Sequence, residues 1–195
     1  MSNLNYPRPL EPIMIFIDGG YLRRLFVDLF GDDKIDFDML RVDLMLIYSD
    51  IWANPFDANL VRTYYYDGIT DEKEKEHAQQ REYFDALREN YIFLDVVLGE
   101  AVKLPDGTFR QKGVDILMAV DVLTMAYQDH FDSGLFFLGD RDFIPLIEAV
   151  KSSGKKTFLF SYIEKVPKEL IQTFDFRHGL DKTRLERWRI KNKKM

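Results

Sequence analysis

The chain has 195 residues, 46% of them hydrophobic and 14% aromatic, and 27 Lys or Arg stand against 33 Asp or Glu for a formal net charge of −6. That length and apolar content predict one domain that buries roughly two thirds of the surface its unfolded chain exposes, which excludes a disordered tail protein and argues against two independent domains. The absence of cysteine excludes a disulfide framework, a thiolate zinc site, an iron–sulfur cluster and a cysteine nucleophile.

In chain order, the apolar run Ile13 to Ile17 ends at Asp18-Gly19-Gly20, and an amphipathic segment follows from Tyr21 to Phe30; this predicts strand, turn and helix. Asp36 to Tyr48 carries Phe37, Leu40, Leu44 and Ile47 at spacings of three and four, as a helix with one buried face requires. Leu60 to Tyr66 is rich in β-formers and bounded by Asp67-Gly68, hence a second strand. Thr70 to Asn90 is expected as a long, partly exposed helix and Tyr91 to Leu98 as a third strand, with a hairpin or excursion between Gly99 and Gly113 around the turn signal Pro105-Asp106-Gly107. Val114 to Tyr127 is apolar nearly all round, so the helix expected there should be covered on more than one side. Leu135 to Leu138 and Thr157 to Phe160 read as apolar strands, Phe143 to Lys151 as a helix between them, and Pro167 to Phe174 and Lys182 to Ile190 as closing helices.

Alternating strands and helices, with several strands apolar throughout, predict a doubly wound α/β fold around a mostly parallel sheet covered on both faces. In such sheets ligands bind beyond the carboxyl ends of the strands, where the strand order reverses. The start, MSNLNYPRPLEP, lacks the order of a signal peptide, and no apolar run has the length of a membrane span. A cytoplasmic location and no membrane partner are therefore expected. Charge is unevenly spread: from Arg177 to the end, eight basic residues face two acidic ones, leaving the body strongly acidic. The expected organisation is an N-terminal extension over 1–12, one domain over 13–176 and a basic helix or tail over 177–195. The tail can be a solvated helix or a phosphate contact.

Four carboxylates lie where this fold places a site. Asp18 follows the first strand directly, Asp140 follows Leu135 to Leu138 after Gly139, Asp142 lies two residues on, and Asp115 opens the apolar helix. Each has a plain structural alternative, since Asp115 and Asp142 can cap helices and Asp18 can serve a turn. Together, four like charges at one edge would raise one another's pKa unless a cation neutralised them. Asp121 interrupts the run Ile116 to Met125 and does not share a helix face with Asp115; it can reach the same site from the side or bond a partner inside the fold. All-oxygen donors select Mg²⁺ or Mn²⁺, ions suited to hydrolysing a phosphodiester. Lys112 can touch a phosphate or be solvated.

Taken in order, Phe16-Ile17-Asp18-Gly19-Gly20-Tyr21-Leu22, Tyr64-Tyr65-Tyr66-Asp67, Lys112-Gly113-Val114-Asp115 with Ala119-Val120-Asp121, and Gly139-Asp140-Arg141-Asp142-Phe143-Ile144-Pro145-Leu146 resemble the NYN domain family of PIN-like ribonucleases, especially its LabA-like branch. The resemblance implies a three-layer Rossmann-like PIN sheet and RNA as substrate and partner. It also implies Mg²⁺ or Mn²⁺ held by the catalytic acids Asp18, Asp115, Asp140 and Asp142, with Asp121 matching a second helix acid. Lys112, Gly19 and Tyr21 are candidate substrate contacts. One departure is Tyr21, where many members carry an Asn that can orient a metal-bound water.

The leading expectation is a metal-dependent ribonuclease acting on single-stranded RNA, with Tyr64 or Tyr66 able either to stack bases or to pack in a strand. The alternative is a module that keeps the acidic fold without turnover and acts through RNA or a partner protein; homo-oligomerisation is left open. A phosphoaspartate receiver or haloacid-dehalogenase-like phosphatase needs an acid immediately before Asp18 or two residues after it, and those positions hold Ile17 and Gly20. The three histidines, His77, His130 and His178, are expected to be solvated, and no nucleophile elbow or P-loop is present.

Overall fold

Strand β1 (Glu11–Asp18) sends Ile13, Ile15 and Ile17 into one apolar cluster and Met14 and Phe16 into another, the period-two alternation of a strand buried on both faces. The computed structural model describes residues 10–51 and 58–190. Six further strands join β1: β2 (Ala58–Thr70), β3 (Leu94–Lys103), β4 (Phe109–Lys112), β5 (Ser133–Phe137), β6 (Lys156–Ser161) and β7 (Phe176–Gly179). Their spatial order is β4-β3-β2-β1-β5-β6-β7, and every pairing is parallel except that of β3 with β4. The chain builds outward from β1 to β4 on one side and restarts at β5 on the other, so the order reverses between β1 and β5, where a doubly wound sheet opens its crevice.

Helices α1 (Gly19–Phe30), α2 (Phe37–Ile51), α3 (His77–Asn90) and α7 (Lys182–Glu186) cover one face through Leu22, Leu44, Phe84 and Leu185. Helices α4 (Val114–Tyr127), α5 (Ile144–Ser152) and α6 (Lys168–Thr173) cover the other through Met118, Val122, Ile147 and Leu170. The three-layer α/β architecture is the one the sequence pattern predicts.

Two regions differ from expectation, the segment from Thr70 and the chain beyond residue 176. The segment from Thr70 does not begin a helix: β2 runs through Asp67-Gly68 because Gly68 to Thr70 keep pairing with Gly99 to Ala101 of β3, and α3 starts only at His77. There Gln80 Oε1 accepts hydrogen bonds from Thr70 N (2.9 Å) and Oγ1 (3.0 Å), tying the end of the strand to the helix. His77 is not simply solvated, since its Nδ1 lies 2.5 Å from the Thr70 carbonyl. Between Gly99 and Gly113 the expected hairpin is an antiparallel extension of the sheet, with β3 and β4 turning at Pro105-Asp106-Gly107 and Gly107 at φ +85°, a conformation that glycine adopts readily. Beyond residue 176 the chain adds β7 and α7 to the body. Trp188, fully buried, donates its indole N–H to Asp43 at 3.1 Å. The expected helix over Lys182 to Ile190 shortens to α7, and Ile35 bridges to Arg189. Residues 1–9 of the expected extension and 191–195 of the expected tail lie outside the described residues.

Candidate functional site

Beyond the carboxyl ends of β1 and β5 lies a cleft of about 820 Å³ whose lining includes Asp18, Asp67, Asp115, Asp140 and Asp142. Asp18 is the last residue of β1 and the N-cap of α1, its Oδ1 accepting the Tyr21 N–H at 3.0 Å. It is 8% exposed, and burial pushes its carboxyl up to about 7, with the charges of Asp115 and Asp67 adding to the effect and the Tyr21 N–H and Arg24 opposing it. Asp140 caps a 3-10 turn over Arg141–Phe143 by accepting the Asp142 N–H at 3.0 Å, so Asp142 is not itself the cap. Nor is Asp115: the N-cap of α4 is Gly113, at φ +76°, and Asp115 stands in the first turn, where the helix dipole favours its charge. Partial burial, then Asp140 and Asp142, raise its carboxyl. Four acids from three distant chain segments thus face one cleft, and Asp140 and Asp142 are close enough for their charges to act on Asp115.

Asp67 is the acid that reading the sequence for strand ends passes over, because Asp67-Gly68 looks like a turn. It is 2% exposed and accepts from Tyr65 Oη (2.8 Å), Gly68 N (2.7 Å), Gln111 Nε2 (2.6 Å) and Arg23 Nη1 (3.2 Å). Burial raises its carboxyl, with those partners opposing. Through it β2 holds α1 by Arg23 and β4 by Gln111, forming one wall of the cleft. Arg23 is spent on Asp67 and Asp33, and Lys165 on Asp28; the remaining cations lining the cleft are Arg24 and Arg110. None of the three histidines lines it.

The NYN domain family matches residues 12–179. The chain belongs to the NYN domain family. NYN domains are PIN-like in fold, and the family generally comprises nucleases. A crystal structure of a protein of unknown function from Vibrio parahaemolyticus RIMD 2210633 is similar over 90% of this chain and 96% of its own, at 18% identity and a TM-score of 0.62, a likeness of fold. No curated protein matches the sequence.

Within this NYN domain the other candidate residues take different places. Asp121 does not line the cleft; it stands beside Tyr66 and Tyr64, whose hydroxyls burial holds in the neutral form with the Asp121 charge adding to the effect. Lys112 is exposed outside the cleft, 3.7 Å from Glu100. Gly19 is buried and is not among the residues lining the cleft; an added Cβ would stand 2.4 Å from Tyr65 Cζ and 2.7 Å from the Tyr66 carbonyl oxygen. Tyr21 lines the cleft with its ring, which lies across Gly139 and beside Phe137 at 5.4 Å, while its buried hydroxyl is directed toward Ser161 and the Tyr162 backbone. Gly139 is required there because a Cβ would meet the Tyr21 ring at 2.2 Å. Tyr66 is fully buried and Tyr64 stacks on Phe16 at 5.8 Å, so both pack in the strand and neither is a stacking platform.

An NYN nuclease usually uses a divalent metal, and the donor chemistry fits one. The donors are all carboxylate oxygens; burial first, and neighbouring acids second, raise the Asp18 and Asp115 carboxyls, and a bound cation would offset both costs. Among the described residues no three acidic or histidine side chains converge into a ready-made metal cage. Mg²⁺ keeps several waters and binds through one or two carboxylates plus a substrate phosphate, so its site does not require such a cage.

Proposed function

We propose that the cleft is the active site of a Mg²⁺- or Mn²⁺-dependent ribonuclease that hydrolyses phosphodiester bonds of single-stranded RNA in the cytoplasm. The observation that carries this reading is that Asp18, Asp115, Asp140 and Asp142 line one cleft at the reversal point of the sheet in a member of a nuclease family. Asp18 and Asp140, from the adjacent β1 and β5 ends, are the proposed direct ligands, with Asp115 and Asp142 completing the set directly or through water. When bound, the ion supplies an activated water and neutralises charge on the phosphate. The chain's own groups do the rest. Arg24 of α1 and Arg110 of β4, both lining the cleft, bind phosphates flanking the scissile one. Leu104 and Phe109 of the hairpin give bases an apolar wall. The Asp67 network holds that wall against α1, so the distance between acids and hairpin is fixed before substrate enters.

A rival reading, an RNA- or protein-binding module without turnover, draws on the lack of three converging acids among the described residues and on the Tyr21 hydroxyl turned away from the cleft. One assay separates them. Purified protein with Mn²⁺ and end-labelled single-stranded RNA should give cleavage that EDTA abolishes. Asp18→Asn and Asp140→Asn should each lose more than about 100-fold, beyond the usual cost of losing an outer-shell partner. RNA retained without cleavage, or equal metal-independent traces from both variants, would favour the module.

A further inference from the structure

Two glutamines line the cleft, and what each already touches settles which way its amide is turned. Gln80 directs its carbonyl oxygen at Thr70, accepting the N–H at 2.9 Å and the hydroxyl at 3.0 Å. A backbone N–H only donates, so Gln80 Nε2, which has no partner among the described residues, is left as a free donor. Gln111 is turned the other way. Its Nε2 donates to Asp67 Oδ1 at 2.6 Å, an oxygen that also accepts the Gly68 N–H at 2.7 Å. Gln111 Oε1 is therefore a free acceptor, again with no partner among the described residues. Gly20 makes room for that amide: a Cβ there would stand 2.5 Å from Nε2 and 2.7 Å from Oε1. Gln111, Ala101 and Thr70 are register partners across β4, β3 and β2, so two strand spacings, about 10 Å, separate Gln111 from the residue that anchors Gln80.

We infer that these two amides read one nucleobase of the substrate, which makes Gln80 and Gln111 specificity-determining residues. The inference rests on the cleft being the RNA site proposed above. A phosphate offers only acceptors and a sugar hydroxyl has no flat face, whereas a base combines donors and acceptors on its edges with a face that stacks. The hairpin supplies the platform for that face. Phe109 and Leu104 line the same cleft. Lys103 sets its ammonium 5.5 Å from the Phe109 ring centre and is itself held by Glu74 at 2.6 Å. A ring anchored in this way lets any base stack, since every base has a π-face. The free donor of Gln80 and the free acceptor of Gln111 then select among bases by their edges. Neither amide titrates, so both bear on which base is held rather than on proton transfer at the acids.

Fluorescence anisotropy of the full-length chain with short labelled homopolymers of rA, rC and rU, Ca²⁺ replacing Mn²⁺, reads base preference apart from cleavage. Wild-type affinities for the best and the worst should differ at least about 10-fold, the scale of one matched base edge. Phe109→Ala should weaken all three by a similar factor, about 10-fold, and keep their order. Gln80→Glu retains an oxygen for both Thr70 bonds but turns the free donor into an acceptor, so the order should change. Gln111→Met leaves Asp67 its bonds from Tyr65, Gly68 and Arg23 and removes the free acceptor, so the three affinities should draw together. Equal wild-type affinities, or an order and spread that both glutamine variants leave intact, overturn the inference. RNA bound with a base preference yet never cut in Mn²⁺ overturns the ribonuclease reading alone. RNA cut without any base preference overturns this inference alone.

Discussion

Replacing Asp18 by Asn should stabilise the metal-free protein at alkaline pH, although the residue stands at the centre of the site. The Asp18 carboxyl lies at about 7 in the fold against an ordinary 3.8. The folded state therefore keeps a proton that the unfolded chain has released across that interval, and stability falls as pH rises through it. Each pH unit of difference is worth about 1.4 kcal/mol, so by pH 8 the ionised carboxylate costs the fold about 4 kcal/mol. Asn removes the charge and keeps the side-chain oxygen that caps α1 through the Tyr21 N–H. In EDTA at pH 8 the variant should melt about 10 °C above wild type, the shift expected of that energy in a domain of this size. At pH 4, where Asp18 is protonated in the fold, the two melting temperatures should converge. Mn²⁺ should then raise the wild-type value and leave the variant nearly unmoved. Scanning calorimetry across pH gives all three comparisons. Equal melting temperatures at pH 8 in EDTA would refute the claim that this carboxylate is held at a cost only a cation relieves.

Gly19→Ala, which forces a Cβ against Tyr65 and the Tyr66 carbonyl, should cost about 1–3 kcal/mol by overpacking, read by urea denaturation; a neutral result would show that the α1 start can shift. Trp188→Ala empties a fully buried site and removes the indole donor to Asp43, which keeps Arg184 at 3.7 Å, for about 3–5 kcal/mol. A chain that keeps its stability after that change would place the C-terminal segment outside the cooperative fold. Tyr21→Phe should leave RNA cleavage unchanged, since the hydroxyl is directed at Ser161 and Tyr162; a loss of rate would give that hydroxyl a part in the chemistry.

How far the sequence alone carries the account depends on how local each signal is. Ile13 to Ile17, Val114 to Tyr127 and Leu135 to Leu138 announce themselves by apolar pattern, and the structure has an element at each. The β2 extension past Gly68 is not local: it exists because Gly68 to Thr70 pair with Gly99 to Ala101, residues some thirty positions away. β7 is four residues long with a half-exposed pattern, too short for periodicity to show. At the site, Asp18, Asp115 and Asp140 are legible because they follow strands or open a helix. Asp67 is hidden inside a strand, and its four partners come from β2, α1 and β4, so its role appears only once the sheet is assembled. Asp121 is the ambiguous case: an acid in an apolar run can reach a site or find a partner inside the fold, and the packing sets it beside Tyr66.

The central claim is that acids distant in sequence form one pocket for a divalent cation, and a crystal soaked in Mn²⁺ tests it most directly. The account predicts an anomalous peak in the cleft bounded by Asp18, Asp115, Asp140 and Asp142, absent from crystals of Asp18→Asn. Anomalous density only elsewhere on the molecule, or cleavage of RNA by a protein whose cleft takes up no Mn²⁺, would contradict it.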